Sequence, residues 1–162
     1  MKELLQGRRL GFALRSHVAF VATGVAVAVV ILDLMAWFAL GGRDTNGYVI
    51  AAQWLCVVTL LLAGFSAVAA IAERGDVVPE ERGLARIDAL AALAVIVLYG
   101  TSAVFRSLEL GAAAPSPAPF LLSIAGLIVL FIDSGLAANM YSSREWEELE
   151  DEPIREHRRR RA

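Results

Sequence analysis

The chain is 162 residues long and 57% hydrophobic, with a mean hydropathy of +0.60, well outside the range of soluble domains of this size and characteristic of a membrane protein. Its 15 basic and 17 acidic residues leave a net charge of -2, so total charge singles out no polyanionic partner, and nucleic acid is not expected as a ligand. One cysteine excludes an internal disulfide, a cysteine-built zinc site and a self-contained iron-sulfur centre.

Residues 1–16 mix Lys2, Arg8, Arg9 and Arg15 with Leu4, Leu5, Leu10, Phe12 and Leu14, a basic segment that fits a short interfacial helix or a frayed basic flank equally well. From His17 to Leu40 the chain is apolar except for Thr23 and Asp33. At 1.5 Å per residue this stretch reaches about 36 Å, enough to cross a bilayer with some tilt. A basic start before an apolar run resembles a secretory signal, but this run is too long and carries Asp33 and Trp37, so span one is read as a retained anchor.

A turn containing Gly41, Gly42, Asp44, Asn46 and Gly47 leads into span two, about 48–72. The charged link from Glu73 to Arg86 leads into span three, about 84–108, and an Ala/Pro/Ser stretch from Gly111 to Pro119 separates it from span four, about 119–141. The expected fold is an all-α, four-transmembrane-helix antiparallel bundle over residues 17–141. A charged tail follows over 142–162, in which Ser142 and Glu145 form a capping-box pattern, Glu145 to Glu152 is acidic and Arg158 to Arg161 is basic.

Positive residues mark cytoplasmic flanks. Lys2, Arg8, Arg9, Arg15, Arg74, Arg82, Arg86, Arg144, Arg155 and Arg158 to Arg161 fall on one side, thirteen of the fifteen, against Arg43 and Arg106 on the other. Both termini are therefore expected in the cytoplasm, with the chain in a bacterial inner membrane. Trp37, Tyr48, Trp54, Phe120 and Tyr141 fall near the span ends, where aromatic residues anchor helix depth.

An ionisable side chain at bilayer depth costs about 2.5–3.5 kcal/mol on insertion scales. Three stand out: Asp33, Arg106 and Asp133. Asp33 in the outer half of span one and Arg106 in the outer third of span three reach the same level, and the expectation is an ion pair that fixes helix register. Asp133 has no basic residue at matching depth in the sequence, so it is expected to be protonated, bonded to hydroxyls or backbone, or open to a wet cavity.

Asp88, Ala92, Val95, Tyr99, Ser102 and Arg106 recur at helical spacing on one face of span three, a polar seam that should face the bundle interior. Tyr99 is placed to donate to Asp133 or Asp33, whereas Asp88 lies near the cytoplasmic border and is expected to be solvated. His17 is expected at the same border, at headgroup level. Small residues crowd every span, among them Ala22, Gly24, Ala26, Ala63, Gly64, Ala92, Gly100, Gly126 and Gly135, and allow helices to approach closely in lipid.

Redox and hydrolytic chemistry find little support. A transmembrane b-type heme takes two facing histidines, but His17 stands at a span border and His157 in the tail, which excludes bis-His heme within one chain. No cofactor is expected, Cys56 reads as a small buried hydrophobe, and no phosphate loop, HExxH or GxSxG turn occurs, so an enzyme is not the expectation.

Several short motifs resemble a family of uncharacterised bacterial four-span membrane proteins, a domain-of-unknown-function group. They are Leu32-Asp33-Leu34 with Ala36-Trp37, Ala51-Ala52-Gln53-Trp54-Leu55, Leu98-Tyr99 with Ser102 and Arg106, and Leu121-Leu122-Ser123 with Ser134-Gly135. The resemblance covers most of residues 17–141 and implies a membrane module associated with redox or respiratory genes. Many members carry histidines at the starts of spans one and three. Phe20 and Asp88 stand near those positions here, so any heme or metal held there by relatives would be lost.

Three functions follow as expectations. The first is a non-catalytic accessory or structural subunit of a larger membrane complex, respiratory or photosynthetic, with the bilayer and other membrane subunits as partners. The second is a small transporter or proton-conducting bundle using Asp133 and the Asp33/Arg106 pair. The third is a quinone- or lipid-binding module with its pocket between spans three and four.

Overall fold

A computed structural model describes residues 14–40, 42, 45–73 and 82–136. Four helices account for nearly all of them: α1 Leu14–Trp37, α2 Asn46–Glu73, α3 Arg82–Ser107 and α4 Pro117–Leu136. No strand occurs among the described residues. Each helix contains a segment long and apolar enough to cross a membrane. The basic N-terminal segment, the last residues of the expected fourth span, Tyr141 and the charged tail lie outside the described residues.

Boundaries depart from expectation by a few residues, for local chemical reasons. Helix α1 ends at Trp37 instead of Leu40 because Ala39 takes φ = 47°. Leu40 N–H then donates to Met35 O and Ala39 N–H to Ala36 O, the paired bonds of a Schellman cap. Alanine in the left-handed region costs about 1–2 kcal/mol, so the turn is held by what packs around it. Helix α4 begins at Pro117, two residues before the expected start. Proline is tolerated there because the N–H it lacks has no intrahelical partner in the first turn.

Side-chain contacts fix the order of the helices. Thr23 of α1 meets Ser134 of α4, and farther along α1 Trp37 rests on Phe120, with ring centroids 4.4 Å apart. Residue numbers thus rise along α1 as they fall along α4, so the two run antiparallel. Asp33 and Arg106 pair near the C-terminal ends of α1 and α3, which therefore run the same way. Cys56 of α2 donates to Tyr99 O of α3 at 3.5 Å.

Each helix buries one stripe at three- and four-residue spacing: 19, 22, 26, 29, 33 and 36 on α1, 49, 52, 56, 59, 63 and 66 on α2, 85, 88, 92, 95, 99, 102 and 106 on α3, and 119, 123, 126, 130 and 133 on α4. The interior is mostly small or polar, with Ala22, Ala26, Ala52, Ala63, Val29 and Val95 at its centre. Large apolar residues such as Phe20, Ile31, Leu61, Val68, Leu90, Val97, Ile128 and Phe131 point outward. In water such an exterior would cost about 25 cal/mol per Å² of apolar surface, whereas in lipid it costs nothing and small interior residues let the backbones close up.

Among the described glycines, Gly126 of α4 has the tightest surroundings. A Cβ placed there would lie 2.5 Å from Cε2 of Tyr99, whose ring fills the space a side chain would need. Gly126→Ala is expected to lower stability by about 1–3 kcal/mol through overpacking, read as a reduced thermal midpoint in detergent. Adding Tyr99→Leu should recover part of the loss. An unchanged midpoint in Gly126→Ala would contradict this packing.

Candidate functional site

Arg106 lies one residue from the end of α3, yet its guanidinium works deeper in the bundle. Helical side chains lean toward the N-terminus of their own helix, which carries the head group back to the level of Ser102, one turn earlier. Asp33, four residues from the end of α1, comes to the same level. The two groups face each other at 0% exposure.

The contact is two-pronged. Nη1 of Arg106 donates to Oδ1 of Asp33 at 2.7 Å, and Nη2 donates to Oδ2. Nε donates to Ser102 Oγ at 3.2 Å, and Nη2 also to Ser123 Oγ at 3.1 Å. Four of the five guanidinium N–H groups are thereby directed at oxygens. The two serine hydroxyls lie 3.0 Å apart, and each is 2.9 Å from Pro119 O. Tyr99 donates its hydroxyl to Ser123 O at 3.2 Å.

This geometry corrects the expectation for Tyr99, whose hydroxyl was placed against Asp133 or Asp33 but goes to the α4 backbone. The lean of the side chain along α3 and the nearness of Gly126 put the ring against α4 instead. Ser102 joins the cluster as an acceptor for Arg106. Ser123 is the participant that sequence reasoning did not single out for a role. Its spacing from Pro119 and Gly126 on the buried face of α4 was the available signal.

The segments at this end close over the pair. Trp37 Nε1 donates to Pro115 O at 2.7 Å, Thr45 Oγ1 donates to Ala113 O, and Asn46 Nδ2 reaches Leu110 O and Ala112 O at 2.7 and 2.9 Å. Ser116 N–H donates to Glu109 Oε2 at 2.9 Å, just before α4 starts. Trp37 and Phe120, both expected as depth anchors, also pack on each other at this end of the bundle. At 0% exposure the two charges are kept from water, which strengthens their attraction.

The other half of the bundle holds a second polar group of residues. Thr23 Oγ1 donates to Ala19 O at 2.9 Å and lies 3.0 Å from Ser134 Oγ. Asp133, beside Ser134, is 2% exposed, and so is Asp88. Burial of Asp88 overturns the expectation that it is solvated: it continues the stripe through Ala92, Val95, Tyr99, Ser102 and Arg106, and that whole face turns inward. His17 is exposed on α1 and not drawn into the interior. Cys56 is buried, with its thiol against the α3 backbone. A cavity of about 500 Å³ lies between α2 and α3.

Arginine's fork is needed here, because a lysine ammonium can meet Asp33 but cannot also span Ser102 and Ser123. Arg106→Lys is therefore expected to lower the thermal midpoint in detergent despite keeping the charge. Ser123→Ala should cost about 1 kcal/mol, the net value of an ordinary hydrogen bond. Wild-type stability in Arg106→Lys would show that charge alone holds the helices.

Compared with family models, with curated proteins and with solved structures, the chain matches none of them. The four-span family likeness gains no support from these comparisons, and the functional reading rests on the chemistry of the bundle itself.

Proposed function

We infer that the protein is a non-catalytic integral membrane protein, a small accessory or structural subunit of a larger membrane complex, with both termini on the cytoplasmic face of a bacterial inner membrane. The supporting observation is the use made of its strongest charges. Asp33 and Arg106 are turned on each other and on Ser102 and Ser123, fully buried, beneath a hydrogen-bonded cover. Groups engaged in this way hold helices together and have little capacity left for moving a proton or a substrate. The connections between helices are too short to hold a second domain. Respiratory and photosynthetic complexes are the first to examine, the former being the setting that the family likeness implies.

A second reading draws on the opposite half of the bundle. Asp88 and Asp133 are both buried at 2% exposure, and carboxyl groups at that depth are the usual material of proton relays. Under this reading the protein is a small transporter or proton-conducting bundle.

Extraction of native membranes in mild detergent separates the two. The subunit reading predicts that the protein elutes within a stable larger assembly, and recovery only as a monodisperse monomer would contradict it. It also predicts no proton flux in proteoliposomes of the wild type, with Asp133→Asn altering stability or assembly alone. A wild-type flux abolished by Asp133→Asn would establish the transport reading instead.

A further inference from the structure

The cavity between α2 and α3 is an external groove of about 500 Å³, within the size range of small-molecule and lipid sites. Small side chains make it: Ala67 on α2 and Ala89 and Ala92 on α3 leave a depression between larger neighbours such as Leu93 and Ile96. Among the described residues, Arg86 is the one charged residue in its lining. Arg86 is exposed and lies in the first turns of α3, where the positive end of the helix dipole adds to its own charge.

Length and polarity together identify what fits. Arg86 and Ile96, ten positions apart on α3, are separated by a rise of about 15 Å, close to half of a hydrocarbon core of about 30 Å. The groove is thus apolar over the depth of one leaflet and carries a cation at its interfacial end. Arginine stems lie along apolar surface while the guanidinium reaches the headgroup level, and basic pockets between transmembrane helices take anionic headgroups. Asp88, the nearest acid on α3 among the described residues, is on the buried face and is absent from the groove lining.

We propose that the α2/α3 groove binds one anionic phospholipid, with an acyl chain along Ala67, Ala89 and Ala92 and the phosphate on Arg86. A zwitterionic lipid offers the same chain and phosphate but brings a second cation toward the guanidinium, so the site selects for net negative charge. The proposal depends on the helices crossing a membrane and is independent of whether the protein is a subunit of a larger complex. A monodisperse monomer that retains the lipid would count against the subunit reading alone.

The test is native mass spectrometry of the full chain in mild detergent, titrated with phosphatidylglycerol and with phosphatidylcholine of identical acyl chains. Phosphatidylglycerol is expected to bind about fivefold more tightly, the worth of one arginine at a membrane surface. Arg86→Gln should weaken phosphatidylglycerol more than phosphatidylcholine and so bring the two to equal affinity, and Ala89→Phe, which fills the groove, should weaken both lipids. Equal binding of the two lipids by the wild type, or full selectivity in Arg86→Gln, overturns the proposal. A photoreactive phosphatidylglycerol on the unmodified protein gives a readout that needs no variant. Cross-links on the α2 and α3 lining support the site, and cross-links confined to other helices, or a protein helix captured across the groove, refute it.

Discussion

A guanidinium ion taken out of water loses hydration worth many kcal/mol, and at 0% exposure inside the bundle Arg106 has no solvent at hand to replace it. Arg106 therefore sets a condition that the rest of the bundle has to meet. Asp33 must reach it from α1, Ser102 from its own helix and Ser123 from α4, all at one depth. A shift of any of these helices along its axis by one turn, about 5.4 Å, would break the contacts and strand the charge. Register is thereby fixed for three helices at once, and α2 is tied to the same level through Cys56 and the backbone at Tyr99.

Other features follow from bringing those groups together. The backbones have to approach closely enough for short serine side chains to reach the guanidinium, and Gly126 with the interior alanines allows it. Tyr99 fills the space left beside Gly126 and places its hydroxyl on the α4 backbone. The two connections at the same end bond to each other through Trp37, Thr45 and Asn46, which accounts for a left-handed alanine being tolerated at position 39. Strain in that turn and the cover over the ion pair are parts of one arrangement.

Hydrophobic run length and turn residues made four apolar helices legible in the sequence, and depth counting brought Asp33 and Arg106 to one level. The polar stripe on α3 was equally readable, because burial in a helix recurs with its own period. What escaped was the content of the contacts. The spacing of Ser123 marks it as buried but not what it bonds, and Pro119 O carries no signature, since a serine in an apolar helix bonds its own backbone as readily as a neighbour. Asp88 looked solvated because its distance from the span end was weighed more heavily than its place on the stripe. Hydrogen bonds from Thr45 and Asn46 to loop carbonyls depend on loop conformation, which composition does not specify.

The account turns on whether Asp33 and Arg106 are coupled as strongly as their geometry implies. A double-mutant cycle of Asp33→Leu and Arg106→Met, read by reversible unfolding in detergent, measures that coupling directly. Each single variant leaves the other charge buried without its partner and should lose about 3–5 kcal/mol, while the double variant, with both charges gone, should recover most of the loss. A double variant whose loss is simply the sum of the two single losses would contradict the account.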